Sequence, residues 1–249
     1  SHALGESFRL IQQGGIDVMV AGGAESVICE LAVAGFCSAR ALSTRNDEPE
    51  KASRPFDKGR DGFVMGEGSG CIVLESLEHA QKRGAKIYAE LAGGAMNADA
   101  YHITAPQPEG ESVVEVMQEA LQDANTTLEE IDYINVHGTS TPLGDIAEVK
   151  AIQQLFGEHA YHLNISATKS MTGHLMGAAG IVEAIASVMA IQDNMVPPTI
   201  NHITDDPAFD AKLNFTFNRA QARKVNAVLS NNFGFGGHNA SVIFKRFID

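Results

Sequence analysis

The chain has 249 residues, of which 44% are hydrophobic and 20% charged, and its 18 Lys and Arg stand against 31 Asp and Glu for a net charge of -13. Such a length holds one large core or two moderate ones, the composition is ordinary for an α/β globule, and the negative balance argues against non-specific binding to nucleic acid or anionic membrane. The three cysteines, Cys29, Cys37 and Cys71, show no C-x-x-C or Cys/His ligand spacing, so neither a disulfide framework nor a metal site is expected and a reducing cytoplasm is the expected compartment.

The chain opens Ser1-His2-Ala3 without an initiator methionine and already inside a helical pattern, so the natural protein is expected to continue upstream. Leu4, Phe8 and Ile11 recur at helical spacing until Gly14-Gly15, a good helix stop. Residues 16–21 read as a short buried strand ending in Gly22-Gly23, and 24–37 as apolar and partly helical. From 40 to 61 the chain is polar and loop-like. Arg40, Arg45, Lys51, Arg54, Lys58 and Arg60 make this its densest basic segment, offset in part by Asp47, Glu48, Glu50 and Asp57, and the plain expectation is a solvated loop with local ion pairs. Gly66-Glu67-Gly68-Ser69-Gly70 is no phosphate loop, because its glycines feed a strand at 71–75 and not a helix N-terminus.

Residues 78–83 then read as a helix, 87–91 as a strand and 99–108 as a loop. Val113, Val116, Met117, Ala120 and Leu121 trace one face of a helix. A strand at 131–136 stops at His137-Gly138-Thr139-Ser140-Thr141-Pro142, a helix covers 145–156, and a short strand covers 164–167. One long helix is predicted over 174–192. It is interrupted by Glu183 and glycines, so no membrane span is expected. Residues 213–217 alternate like an edge strand, 225–230 read as a buried strand running into Asn231–Asn239, and 240–244 as a last strand. Helix, strand, glycine-rich loop and apolar strand recur in that order in 1–75 and 174–244. The expected architecture is α/β: two duplicated halves, the first incomplete at 1–85 and the second at 86–249, with mixed sheets covered by helices and ligands at strand ends.

Three loops then concentrate the chemistry: the His137 turn, the Lys169–His174 turn and the Phe233–Gly237 loop. His137 follows a strand and precedes a glycine and three hydroxyl residues, a context that favours function over a capping or core role. His174, next to Lys169 and at a predicted helix N-terminus, is expected to be neutral, because both neighbours oppose a second positive charge. A neutral imidazole can donate one hydrogen bond to a developing oxyanion. Gly234, Gly236 and Gly237 allow close backbone approach to a ligand, or make a simple tight turn. His2, His79, His159, His162 and His202 have no partner pattern and read as bystanders, with His102 and His238 undecided.

Taken together, His137-Gly138-Thr139-Ser140-Thr141, Lys169-Ser170-Met171-Thr172-Gly173-His174 with Gly177-Ala178-Ala179-Gly180, and Asn232-Phe233-Gly234-Phe235-Gly236-Gly237-His238-Asn239 resemble the elongating β-ketoacyl-[acyl-carrier-protein] synthases of fatty-acid synthesis. Val20-Ala21-Gly22-Gly23-Ala24-Glu25 and Ala41-Leu42-Ser43-Thr44-Arg45-Asn46 extend the resemblance over essentially the whole chain. It implies the thiolase fold, usually as a homodimer. It also implies a decarboxylative Claisen condensation of malonyl-carrier protein with an enzyme-bound acyl group, the substrates being carried on the phosphopantetheine of acyl carrier protein and no cofactor being bound.

On that resemblance His137 and His174 serve the decarboxylation and the enolate, Lys169 tunes them with support from Glu183, and Phe233 gates the acyl pocket while its backbone N–H supplies half of an oxyanion hole. Thr139, Thr141, Thr104, Gly234 and Phe235 are the implied substrate-binding residues, and Arg40 and Arg45 the implied docking points for the acidic carrier protein. The family's nucleophilic cysteine would lie a few residues before Ser1, and none of Cys29, Cys37 and Cys71 replaces it. The competing readings are a polyketide ketosynthase domain and a non-catalytic partner like the chain-length factors. Retention of both histidines and the lysine speaks against the partner, and the lack of a cysteine in 231–239 speaks against a thiolase.

Overall fold

The computed structural model describes residues 1–248. In chain order the elements are α1 (His2–Gln12), β1 (Val18–Glu25), α2 (Glu30–Ser38), β2 (Gly68–Glu75), α3 (Leu77–Lys82), β3 (Glu90–Ala98), α4 (Glu111–Asp123), β4 (Tyr133–Asn135), α5 (Pro142–Phe156), β5 (Asn164–Ser166), α6 (Lys169–Thr172), α7 (Ala179–Asp193), β6 (Met195–Val196), β7 (Gln221–Ala222), β8 (Ala227–Gly234) and β9 (His238–Lys245). A five-stranded sheet in the order β3-β9-β8-β4-β5 organises the molecule. β4 is parallel to both β5 and β8, whereas β9 is antiparallel to β8 and β3. The sheet is therefore mixed, with both faces covered.

Alternation along the strands sends consecutive side chains to opposite faces, so each strand feeds two cores. Ile134, Leu229 and Ile243 enter the core beneath α4 and α5, with Val113, Met117, Leu121, Val149 and Ile152. Their sequence neighbours Tyr133, Val228, Val242 and Phe244 enter the opposite core, with Leu4 of α1 and Ile181, Ala184 and Ile191 of α7. Burial on both faces explains why these strands read as continuous apolar runs. The predicted face of α4 is the buried one: Val113, Val116, Met117, Ala120 and Leu121 all lie inside.

Four expectations need correction. β1 and β2 pair only with each other, as an antiparallel two-stranded sheet, so the strands expected to be buried keep Val20 64% and Val73 56% exposed. Cys71, on β2, is exposed as well. Residues 213–217 form no strand of a sheet but only isolated bridges, Asn214 to Asn164 and Phe217 to Thr199. The strand predicted at 87–91 runs from Glu90 to Ala98, taking in Gly93-Gly94, where any Cβ on Gly93 would lie 2.5 Å from the Ala124 nitrogen of α4's end. Finally, the long helix predicted from 174 begins at Ala179.

The segment expected to be a solvated loop is so only in its first part and is buried in its second. Residues 52–57 and Arg60 lie inside, with Arg54 4% and Asp57 1% exposed. The buried cations are matched: Arg54 pairs with Asp57 at 3.6 Å and Arg60 with Asp206 at 2.5 Å. Composition alone hides this, because a buried cation needs partners that lie far along the chain.

Candidate active site

The first histidine is presented by a turn that leaves the C-terminal end of β4. Past Val136 the chain enters the left-handed region at Gly138 (φ 39°) and again at Ser140 (φ 69°) before α5 starts at Pro142. Only glycine suits position 138, since a Cβ there would sit 2.6 Å from that of Ala167. Ser140 lacks this freedom and is held by its surroundings. Asp145 accepts its N–H at 3.1 Å, its hydroxyl accepts the N–H of Arg54 at 3.0 Å, and its carbonyl accepts the N–H of Gly62 at 3.0 Å. Glu148, one turn further along α5, accepts the N–H of His137 and that of Gly138, both at 2.8 Å.

The second histidine occupies an interruption between helices. α6 is a single turn from Lys169 to Thr172, Gly173 then takes φ 70°, and a 3-10 turn from Met176, itself at φ 41°, leads into α7. Between them His174 pairs its backbone with the first part of the chain: its N–H donates to the Val64 carbonyl at 2.7 Å and its carbonyl accepts the Gly66 N–H at 3.0 Å. This pairing, which bridges Met65 and His174, is what prevents a helix from starting at 174. His174 is therefore not at a helix N-terminus, and the dipole is not what keeps it neutral.

The two rings meet edge to face with centroids 5.2 Å apart, and the Phe233 ring lies 5.6 Å from that of His137. Burial, followed by the charge of Lys169, lowers His174 to about 3. Burial also holds His137 well below the ordinary imidazole range, with Lys169 and His174 adding to the effect. Both therefore favour the neutral form at pH 7; for His174 this was expected, and of the two expected causes Lys169 stands while burial takes the place of the dipole. The Nδ1 atom of His174 accepts the Met176 N–H at 3.1 Å, so its proton resides on Nε2. This imidazole is a hydrogen-bond donor by construction.

Lys169 stands behind the pair. It is 1% exposed, and its Nζ lies 2.5 Å from Oε1 of Glu183 on α7, whose other oxygen accepts Asn232 Nδ2 at 3.0 Å. Burial pushes the Glu183 carboxyl up while Lys169 and Asn232 oppose it. Glu148 is likewise raised, to about 7, by burial acting against the two backbone donors it accepts.

A cavity of about 590 Å³ opens over the histidines. His137, His174, Thr104, Thr139, Thr141, Phe233, Gly234 and Phe235 line it, which brings together eight of the predicted site residues. Thr139 and Thr141 bond to each other through their hydroxyls at 2.9 Å. Thr104 is exposed, with its N–H donated to Nδ1 of His102 at 3.1 Å, and Phe235 at the tip of the β8–β9 hairpin is 48% exposed. Phe233 lies opposite Asn239 in the ladder. Lys169 and Glu183 lie outside the lining, and so do Arg40 and Arg45. Arg40 is exposed just past α2, whereas Arg45 is half-buried with a guanidinium N–H donated to the Gly59 carbonyl at 3.1 Å.

Sequence reasoning passed over Asp145, Glu148, Asn232 and His2. The two acids carry a readable signal: they stand among Ile146, Ala147, Val149, Ala151 and Ile152, on the buried face of a helix, just after a turn whose amides need acceptors. His2, read as a bystander, lines the cavity and meets His238 edge to face at 6.3 Å. No cysteine is among the residues that line this cavity.

Two family models match the chain: "Beta-ketoacyl synthase, N-terminal domain" over residues 1–80 and "Beta-ketoacyl synthase, C-terminal domain" over 88–202. The 3-oxoacyl-[acyl-carrier-protein] synthase 2 of Coxiella burnetii is 53% identical over 248 residues, which is 100% of this chain and 59% of that protein. Its namesake from Synechocystis is 54% identical over 247 residues, 99% of this chain and again 59% of the relative. The chain thus spans 59% of the length of these curated relatives. Among solved structures, a type II polyketide acyl-carrier protein in complex with its ketosynthase matches with a TM-score of 0.95 at 38% identity, over 98% of this chain and 60% of that one. A β-ketoacyl synthase from Burkholderia phymatum matches at 0.93 and 43%, over 99% and 59%.

Proposed function

Because this chain belongs to the β-ketoacyl synthase family, we propose that its histidine pair carries out the decarboxylative half of fatty-acid elongation, releasing CO₂ from a malonyl thioester held on acyl carrier protein. The observation that carries this reading is the pair of neutral imidazoles beneath one cavity, with the Nε2 of His174 compelled to donate. When the bond between the carboxylate and the α-carbon breaks, its electron pair moves toward the thioester oxygen. Donors that need no reorganisation stabilise this enolate most strongly in a site closed to water. Lys169, charged and buried behind the pair, disfavours an imidazolium and adds a positive field.

The carbanion then attacks an acyl thioester, forming the new carbon–carbon bond and expelling a thiolate. We place that thiol beside Ser1, whose neighbourhood lines the cavity together with the histidines, and not at Cys29, Cys37 or Cys71. Thr104, Thr139 and Thr141 suit the amides and hydroxyl of a pantetheine arm, Phe233, Gly234 and Phe235 flank the acyl path, and exposed Arg40 with Arg45 suits an acidic carrier protein. Exposed Val20, Ile28, Leu31 and Val73 around β1, β2 and α2 support a homodimer; the cysteine pattern suits a reducing cytoplasm. The polyketide ketosynthase reading draws on the close structural likeness, and the higher identity to the fatty-acid enzymes favours the first.

Release of CO₂ from malonyl-carrier protein tests the proposal. Decarboxylation should depend on both histidines, and a His137→Ala/His174→Ala double variant that kept the parent rate would end it. Transfer of polyketide intermediates in preference to saturated acyl chains would move the assignment to the second reading.

A further inference from the structure

The two catalytic turns are braced by a distant upstream segment, whose Arg54 lies 86 residues before Ser140 of the nearer histidine turn. Within it, Arg60 is 7% exposed overall, and its side chain spans several elements. Its Nε lies 3.4 Å from Oδ2 of Asp145, its guanidinium donates to Asp206 at 2.5 Å and to the carbonyls of Asp57 at 2.9 Å and Pro142 at 3.3 Å, and it stacks over the Phe209 ring at 4.9 Å. The Asp145 carboxyl is fully enclosed and accepts from two main-chain donors, Ser140 N–H at 3.1 Å through one oxygen and Phe56 N–H at 3.0 Å through the other. Satisfying both donors at once suits the ionised form, which has only acceptors.

We propose that Arg60 is a positioning residue for the His137 turn: it holds Asp145 as a carboxylate, and this carboxylate pins Ser140 in its left-handed conformation and ties the turn to Phe56. The inference deepens the proposed function and rests on it for its catalytic consequence, but not for its structural one. The charges around Asp145 are few. From the 52–63 segment Arg60 faces it, with Asp57 and Arg54 paired behind; from the 201–209 segment Asp206 faces Arg60 and His202 faces Asp57; from α5, Glu148 is turned to the His137 and Gly138 amides. Arg60 is thus the cation closest to the buried acid. Burial raises Asp145 to about 6 against the opposing charge of Arg60, so removing that charge moves it further upward, towards protonation at neutral pH. A protonated carboxyl gives up acceptor capacity, and one of the two amides is left without a partner.

Amide exchange followed by NMR on the full chain, from about pH 5 to about pH 9, reads this directly. In Arg60→Met the protection of one of the two amides, Ser140 or Phe56, should fall about tenfold or more near neutral pH, return towards the parent value as pH rises, and leave the β8–β9 ladder unchanged. Arg60→Lys should keep protection, and Asp145→Asn should lose it with little dependence on pH. Parent-like protection of both Ser140 and Phe56 in Asp145→Asn, or a loss in Arg60→Met that ignores pH, would overturn the proposal. If Arg60→Met does not fold, Arg60→Lys and Asp145→Asn decide it between them. Malonyl decarboxylation in the same variants should show kcat about tenfold lower for Arg60→Met with KM little changed and the acidic limb of the profile shifted to higher pH. A parent protein that decarboxylates nothing refutes the proposed function while leaving the exchange result to be judged by itself.

Discussion

The two turns that deliver the histidines are held by opposite means. The His137 turn rests on acids: Glu148 and Asp145, both buried, accept four main-chain N–H groups from His137, Gly138, Ser140 and Phe56. The His174 turn rests on main chain and a cation: its own peptide groups pair with Val64 and Gly66, the Ser53 hydroxyl donates to the Lys169 carbonyl at 2.8 Å, and Lys169 reaches Glu183. One ring consequently has an Nδ1 with no hydrogen-bond partner, whereas the other has its tautomer set by Met176. The difference separates the two rings: His174 is a dedicated donor through Nε2, whereas among the described residues no hydrogen bond to Nδ1 sets the tautomer of His137.

The strongest test of that separation is His174→Ala. Loss of one preorganised donor should lower the decarboxylation kcat by roughly 10²–10³-fold, about 3–4 kcal/mol, with KM for malonyl-carrier protein changing much less. A comparable loss confined to KM would mean that the ring only binds. Next comes Glu148→Ala, which strands two buried amides and should reduce folding stability by about 2–4 kcal/mol in urea denaturation.

Titration distinguishes the rings from the acids that hold them by sign. The lowered pKa of His174 means that the folded state binds fewer protons than the unfolded chain between about 3 and 6.5, so its contribution to stability is complete above 6.5 and is lost as pH falls through that window. The raised Asp145 and Glu148 act oppositely: each favours folding below the ordinary carboxylate range and loses that contribution as pH rises through about 6 and about 7 respectively. In NMR the His174 ring signals should stay flat from about pH 8 to about pH 5, and Lys169→Met should move their titration upward. The smallest effect belongs to Ser53→Ala. It removes one hydrogen bond from the Lys169 carbonyl and should cost about 1 kcal/mol in the same denaturation experiment.

Much of this was readable from residue order. The helical face from Val113 to Leu121, the strand before His137 and the glycine-rich loop announced themselves through periodicity and punctuation, and eight residues named from the family resemblance line one cavity. What escaped is long-range. Nothing local in Arg54, Asp57 or Arg60 shows that their partners stand near residues 140–145 and 201–206, so a buried brace looks like a polar loop. Likewise the apolar run after His174 is compatible with helix from its first residue, and only pairing with residues 64–66 delays α7 to Ala179. The strands at 18–25 and 68–75 carry apolar side chains on both faces, and periodicity cannot tell which face finds a cover.

The approach of β1 to the turn before α7 has a bearing on variation. A Cβ on Gly23 would lie 2.4 Å from the carbonyl oxygen of Gly177, and one on Gly177 would lie 3.1 Å from that of Ala24. The spacing there is set by peptide on peptide, with no side chain to lengthen or trim. Substitutions elsewhere in the cavity wall can alter its lining and its depth, but the gauge between strand and turn is the same for every descendant that retains these two glycines. Diversification of such a site is therefore channelled into what the cavity accepts, while the seat of its histidine stays where the main chain puts it.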